Sequence, residues 1–241
     1  MKVVILCGGK GTRSYPFTEY LPKVMMPIKG SPIIVHLMRI FARQGFNEFV
    51  LAAGHRKEML EDYFEGRMSD WDVKIVDTGA DADTGERILR CADYVGDRFL
   101  ATYGDGLGDI NMPLLIDSHE KSGGLATLTT VPLRSQYGLV QFDPDGKVTH
   151  FVEKPVVPDF WINAGFFVFE KAAFSDWQGR NLESEVLTHL ASKGNLHVYQ
   201  HTGFWKSMDT SKDQQELERL CADGTAPWVM SEATASGRPA R

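Results

Sequence analysis

The sequence predicts an α/β fold: a mixed, mainly parallel central sheet with helices on both faces. Three observations point to it. Short runs rich in Val, Ile, Leu and Phe alternate with helical patterns through the N-terminal half, and such alternation implies crossover connections and parallel strands. A glycine-rich loop follows the first apolar run directly. Beyond Leu125 the apolar runs are separated by turn residues instead of helices, which extends the sheet in antiparallel or mixed fashion.

The elements follow in order. Val3 to Cys7 is the first strand. Ser31-Pro32 reads as a helix N-cap with proline at the first helical position. Ile33, Ile34, Leu37, Met38, Ile40 and Phe41 then recur at helical spacing, and Gly45 is placed to end that helix. Phe49 to Ala53 is a strand, Lys57 to Phe64 a helix, Val73 to Val76 a strand, and Gly85 to Tyr94 a helix leading into the strand Phe99 to Tyr103. Leu125 to Val131, Gly138 to Phe142, Val148 to Val152 and Ile162 to Phe169 are strands, with the turn Asp143-Pro144-Asp145-Gly146 among them. Two helices follow, near Leu182 to Ser192 and Lys212 to Ala222, the second with Ser211 and Gln214 in a capping-box pattern. The reading is one domain over 1–228 and a loose tail over 229–241, where composition turns to Ser, Ala, Thr, Gly and Pro.

Composition narrows the function. The chain has 241 residues, 43% of them hydrophobic and 24% charged, as expected of an ordinary globular domain. A net charge of −6 argues against nucleic-acid binding, which relies on clustered Lys and Arg. No apolar run is long enough to span a bilayer, and the start MKVVILCGGKGTR is too short for a secretory signal. Cys7, Cys91 and Cys221 are widely spaced and odd in number, which fits neither a disulfide framework nor a zinc site. The expectation is a soluble, cytoplasmic protein.

The most informative stretch is Leu6-Cys7-Gly8-Gly9-Lys10-Gly11-Thr12-Arg13. It is neither a GxxxxGK[ST] loop nor the GxGxxG dinucleotide pattern, so a P-loop kinase and a dinucleotide-dependent oxidoreductase are set aside. Glycines let backbone N–H groups face an anion closely. Arg13 adds a forked donor set for phosphate oxygens, and Pro22-Lys23 adds a second cation in a loop. Alone, the glycines could be a tight turn beside solvated basic residues; with Arg13 and Lys23 they point to phosphate. Thr102-Tyr103-Gly104-Asp105-Gly106 ends a predicted central strand, where open α/β sheets bind ligands. Asp209 precedes a helix. Either aspartate alone could cap a helix or turn. Together with triphosphate oxygens they form the usual setting for Mg²⁺. Glu153-Lys154-Pro155 ends one strand, and the small pair Ala164-Gly165 inside another suggests close approach by a ligand or backbone.

In order, the motifs GGKGTR, PK, YGD, EKP, NAG and MDT resemble the sugar-1-phosphate nucleotidylyltransferase family over nearly all of residues 1–228. The runs VDTG, TGER, INAGFFVF and GFWKSMDT are most similar to its branch that joins CTP to glucose 1-phosphate. The resemblance implies a Rossmann-like fold of the nucleotide-diphospho-sugar transferase type. It implies nucleotide-phosphate contacts for Leu6, Cys7, Gly8, Gly9, Gly11, Thr12, Arg13, Lys23, Gly104 and Asp105, and base contacts for Thr84, Gly85 and Arg87. Asp105 and Asp209 match Mg²⁺ ligands; Gly138, Glu153, Lys154, Asn163, Gly165 and Glu185 match the acceptor side. Among these Arg13, Lys23 and Lys154 are the catalytic cations: Arg13 on leaving pyrophosphate, Lys23 on the reacting phosphates, Lys154 on the attacking phosphate. Val24 stands where the family usually has proline, Cys7 where it commonly has alanine, and Glu86 where the CTP branch has glycine. Glu86 is thereby a candidate acceptor for the amino group of cytosine. UTP or dTTP, another small phosphate or phosphonate acceptor, a homo-oligomer, and a non-catalytic nucleotide-sugar-binding regulator remain open at this point.

Overall fold

The computed structural model describes residues 1–11, 19–67 and 70–230. The chain opens with β1 (Val3–Leu6), then a short hairpin of β2 (Pro27–Ile28) and β3 (Ser31–Pro32), followed by α1 (Ile33–Ala42). Next come β4 (Glu48–Ala53), α2 (Lys57–Phe64), β5 (Asp72–Asp77), α3 (Thr84–Leu89), β6 (Arg98–Tyr103), β7 (Gly106–Gly108) and α4 (Met112–Ser122). The C-terminal half holds β8 (Ala126–Arg134), β9 (Leu139–Phe142), β10 (Val148–Val152), β11 (Val156–Glu170), α5 (Thr188–Ser192), β12 (Leu196–Gln200), β13 (Trp205–Ser207), α6 (Ser211–Ala222) and α7 (Pro227–Met230).

Seven strands form the main sheet in the order β12-β8-β11-β6-β1-β4-β5. Only β11 runs against its neighbours; the other pairs in this sheet are parallel. Parallel strands are covered on both faces, so their sequences read as unbroken apolar runs. In β1, Val3 and Ile5 face a layer that includes α1 and α6, while Val4 and Leu6 face the opposite layer with Ile88, Leu182 and Val186. Among the described residues no helix is long and apolar enough to cross a membrane. All three cysteines are buried free thiols, and burial raises each thiol's pKa, that of Cys91 to about 12.

Several expectations shift. Pro32 is the N-cap of α1, not its first residue: Ser31 pairs with Ile28 in the short hairpin, and the Ile33 amide donates to Met26 O at 3.0 Å. The helix expected over Gly85 to Tyr94 ends at Leu89 and resumes as a 3₁₀ turn, Ala92–Tyr94. The expected helix Leu182 to Ser192 begins as a π-helix over Leu182–Leu187 and becomes α5. The capping box of α6 lies one residue earlier, with Thr210 and Asp213 exchanging hydrogen bonds. β9 and β10 pair only with each other and form a separate ribbon outside the main sheet.

Two buried histidines give the fold a pH dependence. His36 Nε2 donates to Ile28 O at 2.9 Å. His119 shares hydrogen bonds with Thr127 Oγ1 (2.9 Å) and Glu170 Oε1 (3.1 Å). Burial lowers both below the ordinary value of 6.5. In that window the unfolded chain binds more protons than the folded one, so stability is fully present above 6.5 and falls as pH drops below it. The urea midpoint is expected to be lower at about pH 5.5 than at about pH 7.5, with a shallower slope in His36→Gln. Equal midpoints would contradict the neutral, buried rings.

Candidate functional site

Leu6, the last residue of β1, pairs with Tyr103, the last of β6. From β1 the chain moves outward to β4 and β5, then returns to β6 on the other side of β1. The crevice between the carboxyl ends of β1 and β6 is therefore the topological switch point, where open α/β sheets hold their ligands. The glycine loop leaves β1 there, and Gly104-Asp105 leaves β6.

Close approach at this crevice depends on Gly104. Its amide donates to Leu6 O at 3.1 Å, and a Cβ there would lie 2.4 Å from Val24 Cγ1. The turn carrying Lys23 thus sits directly on the end of β6. Pro22 leads into the 3₁₀ turn Lys23–Met25, and the Lys23 side chain is nearly buried. Its Nζ donates to Asp105 Oδ2 at 2.6 Å and Asp209 Oδ1 at 2.8 Å. β13 pairs with β7 and brings Asp209 in, helped by the Met208 amide donating to Asp105 O at 2.9 Å. Ser207 Oγ donates to Asp209 Oδ2, also at 2.9 Å. Two carboxylates far apart in sequence therefore converge on one cation. No cluster of three His, Cys, Asp or Glu side chains suited to a metal occurs among the described residues. The pair fits a hard divalent ion that takes its other ligands from water and phosphate oxygens.

The glycine loop is held from below. Gly8 O accepts from the His55 amide and from Arg87 Nη2, both at 3.0 Å. Arg87 Nη1 also donates to Thr78 Oγ1 (2.7 Å) and Gly79 O (2.9 Å), and Nη2 to Ala80 O (3.3 Å). A Cβ at Gly8 would lie 2.0 Å from Arg87 Nη1. The structure thus places Arg87 beneath the loop, the residue 4% exposed and its guanidinium bound mainly to backbone carbonyls. Cys7, buried, donates its amide to Ala52 O at 3.1 Å. Gly9 instead faces open space and, with Lys10, Asp83 and Glu185, lines an open cavity of about 620 Å³. Gly11 takes a positive φ of 60°. Thr12 and Arg13 lie outside the described residues.

A second polar cluster flanks the crevice. Tyr103 OH hydrogen-bonds the Glu183 carboxylate, and Asn163 Nδ2 donates to Tyr103 OH at 3.2 Å. Thr84 Oγ1 donates to Glu183 Oε2 at 2.8 Å and accepts from the Leu182 amide at 2.9 Å. Burial and the neighbouring Glu183 push the Tyr103 phenol well above its ordinary value. Gly165, at φ 78°, leaves room for the Tyr103 ring, which a Cβ would meet at 2.2 Å; its amide donates to Asn163 Oδ1. Gly85 packs α3 onto the π-helix, where a Cβ would lie 2.8 Å from Arg180 O.

Sequence reasoning missed Glu183 and named Glu185. The Glu185 carboxylate accepts from the amides of Arg180 (2.6 Å) and Asn181 (2.7 Å), closing the turn before the π-helix. Glu183 is the one that reaches Tyr103. Only the π-helical phase separates the two roles, and α-helical spacing does not show it. Glu86 is committed elsewhere: it accepts from the Asp83 amide in the capping box of α3 and from Arg180 Nη2 at 2.9 Å. Those partners hold its carboxyl below the ordinary range; both hydrogen bonds fall on Oε2, and Arg90 Nη2 stands 3.6 Å from Oε1.

A third group stands at the base of the ribbon. A Cβ at Gly138 would lie 2.9 Å from Glu153 Oε2, and Lys154 Nζ is 3.8 Å from Glu153 Oε1, both side chains about half exposed. Lys154 has a φ of 47°, a conformation that costs a non-glycine residue energy and concentrates at functional sites.

A mostly parallel sheet with a glycine loop and paired carboxylates at its switch point defines an α/β domain of the nucleotide-binding kind. The chain belongs to the Nucleotidyl transferase family, which it matches over residues 2–216. It is 36% identical to the glucose-1-phosphate cytidylyltransferase of Salmonella typhi, over 95% of this chain and 98% of that one. It is 33% identical to a UTP–glucose-1-phosphate uridylyltransferase of Synechocystis, over 70% of this chain and 49% of that protein. The crystal structure of HddC from Yersinia pseudotuberculosis has the same fold, with a TM-score of 0.74 at 22% identity, covering 91% of this chain and 99% of that one.

Proposed function

We propose that this nucleotidyltransferase joins CTP to glucose 1-phosphate, giving CDP-glucose and pyrophosphate, in the cytoplasm and with Mg²⁺. The observation that carries the reading is the convergence of Lys23, Asp105 and Asp209 at the switch point. The near-full-length relative from Salmonella typhi supports the choice of substrates.

A phosphate oxygen of the acceptor attacks the α-phosphorus; the new O–P bond forms as the bond to the β-phosphate bridging oxygen breaks, and pyrophosphate leaves with that electron pair. Both reactants are anions, and unit charges about 4 Å apart repel by roughly 4 kcal/mol at an effective dielectric near 20. The acceptor phosphate is already ionised at neutral pH, its second pKa being about 6, so no general base is needed. The demand falls on positive charge and alignment. Lys154 serves the attacking phosphate, Lys23 the reacting phosphates and Arg13 the departing pyrophosphate. Backbone amides of the glycine loop receive the triphosphate, and Glu153, Asn163 and Gly138 orient the acceptor. Mg²⁺ held by Asp105 and Asp209 would supply charge neutralisation on the phosphate oxygens.

The deciding experiment is a matrix of CTP, UTP, dTTP, ATP and GTP against sugar 1-phosphates and small phosphates, read by released pyrophosphate. Fastest release from CTP with glucose 1-phosphate is expected. Faster release from UTP or dTTP would reassign the base, and no release from any pair would remove the catalytic reading. Asp105→Asn is expected to shift the Mg²⁺ dependence of the rate to at least about tenfold higher concentration, since one of two protein ligands is weakened. An unchanged metal titration would take Asp105 out of the site.

A further inference from the structure

Away from the crevice, a cavity of about 310 Å³ is lined by Lys29, Arg39 and Arg43 and by no acidic side chain. His36, Arg39 and Arg43 recur at helical spacing, so α1 presents them along one face. Lys29 comes to the same cavity from the tip of the β2–β3 hairpin. Cys221, Ala226 and Trp228 supply an apolar wall. The lining shares no residue with the crevice that holds Lys23, Asp105 and Asp209.

The three cations are not neutralised by the described chain. Lys29 Nζ donates to Cys221 O at 3.0 Å, and Arg43 Nη1 donates to Val229 O at 2.8 Å and Trp228 O at 3.2 Å. Carbonyls carry only partial charge, and both side chains keep further donors. Among the described residues the Arg39 guanidinium has no hydrogen-bond or ion-pair partner. After burial, the charges of Arg39 and Arg43 also lower the His36 pKa, which places both guanidiniums near that ring. Glu218 and Asp223, the acids at the end of α6, neither line the cavity nor pair with these cations. Trp228 Nε1, in the wall, is buried without an acceptor, and an indole N–H can only donate. Full positive charge and spare donors therefore meet here with nothing to accept them.

We propose that this cavity binds a small phosphate-bearing anion, at a site separate from the crevice. Charge favours phosphate over a carboxylate: a phosphate group brings about −1.5 to −2 at pH 7 to three positive side chains, where a carboxylate brings a single charge. The planar guanidinium fork also matches phosphate oxygens two at a time. The apolar wall keeps water from one side and strengthens the charged hydrogen bonds made on the other. At about 310 Å³ the cavity is at the lower end of the roughly 300–1,000 Å³ of small-molecule sites, a size for inorganic pyrophosphate or a mononucleotide's phosphate end. Bound there, the anion ties the β2–β3 hairpin to α1 and to the end of α6. Gln214 Nε2, donating to Pro27 O at 2.8 Å, already ties the hairpin to the start of α6. The hairpin follows the Lys23 turn and α6 follows Asp209, so the anion braces the two segments that carry those residues into the crevice.

Titration calorimetry of the full-length chain with inorganic pyrophosphate, without Mg²⁺, tests the site. Arg39→Gln is expected to weaken binding at least about tenfold, through loss of a charge-assisted fork, with an unchanged circular dichroism spectrum. Lys29→Gln, on the exposed hairpin tip, is expected to weaken it in the same direction and gives the result independently should Arg39→Gln fold poorly. No binding in the wild type, or wild-type affinity in both variants, overturns the site; the second result would assign the anion to the crevice. The same titration with CMP separates the two sources of phosphate. Binding of CMP that depends on Arg39 names a nucleotide as the occupant, and pyrophosphate binding alone that depends on it names the free anion. None of these measurements requires turnover, so a failure of the function proposed above would leave this site standing.

Discussion

Lys23→Met is expected to reduce turnover by about 10²–10³-fold, the scale on which removing one preorganised donor to developing charge is felt. The same change should make stability depend on Mg²⁺. In the protein as it stands, the ammonium neutralises Asp105 and Asp209 at 2.6 and 2.8 Å. Methionine keeps the length of the aliphatic stem and removes that positive charge from between the two carboxylates. Their side chains are 25% and 27% exposed, so solvent screens part of the repulsion. The expected loss is about 1–3 kcal/mol, below the roughly 3–5 kcal/mol of a fully buried broken pair. A divalent cation on the same oxygens should restore most of it. Urea unfolding with and without Mg²⁺ measures this, beside kcat. Near-normal turnover, or a midpoint in the variant indifferent to Mg²⁺, would detach Lys23 from the carboxylate pair.

Arg87→Met is the second large effect, and it separates a residue that reads the base from one that builds the loop. The guanidinium ties Gly8 O, Gly79 O, Ala80 O and Thr78 Oγ1 together below the surface. Its removal takes one donor from each of them, though Gly8 O keeps the His55 amide, for an expected loss of about 1–3 kcal/mol. The loop that Gly8 opens should loosen as well, raising KM for the nucleotide whichever base it carries. Arg87→Lys should rescue little, because one ammonium cannot span acceptors that a planar fork reaches together. The measurement is the urea midpoint, together with KM for CTP and for UTP. A stable variant that had lost only its preference between the two bases would return Arg87 to base recognition.

The parallel half of the fold was legible because strands buried on both faces leave unbroken apolar runs and their helices leave periodic stripes. β1, β4, α2 and β6 all appear within a residue or so of their expected bounds. Legibility fails where tertiary contacts override local pattern. α4 went unread although Asn111 caps it and Pro113 sits in its first turn, because its apolar stripe is sparse. β12 joins the main sheet at its edge, beside β8, with a half-buried, mixed pattern that resembles a loop. The ribbon strands read correctly as strands, but alternation alone does not reveal whether an apolar face meets the core or the solvent. At the site, motifs located Lys23, Asp105 and Asp209, and the structure brings them onto one another. The contacts of Glu183 and Arg87 were hidden, because they depend on a π-helical turn and on three carbonyls and a hydroxyl supplied by four separate residues.

The three inward-turned cysteines have a practical consequence. With Cys7, Cys91 and Cys221 shielded and their acidity suppressed, thiol-directed dyes should find little to react with in the native chain. A cysteine introduced at Asp145, on the exposed ribbon tip, would then be a unique handle for a fluorophore or a spin label.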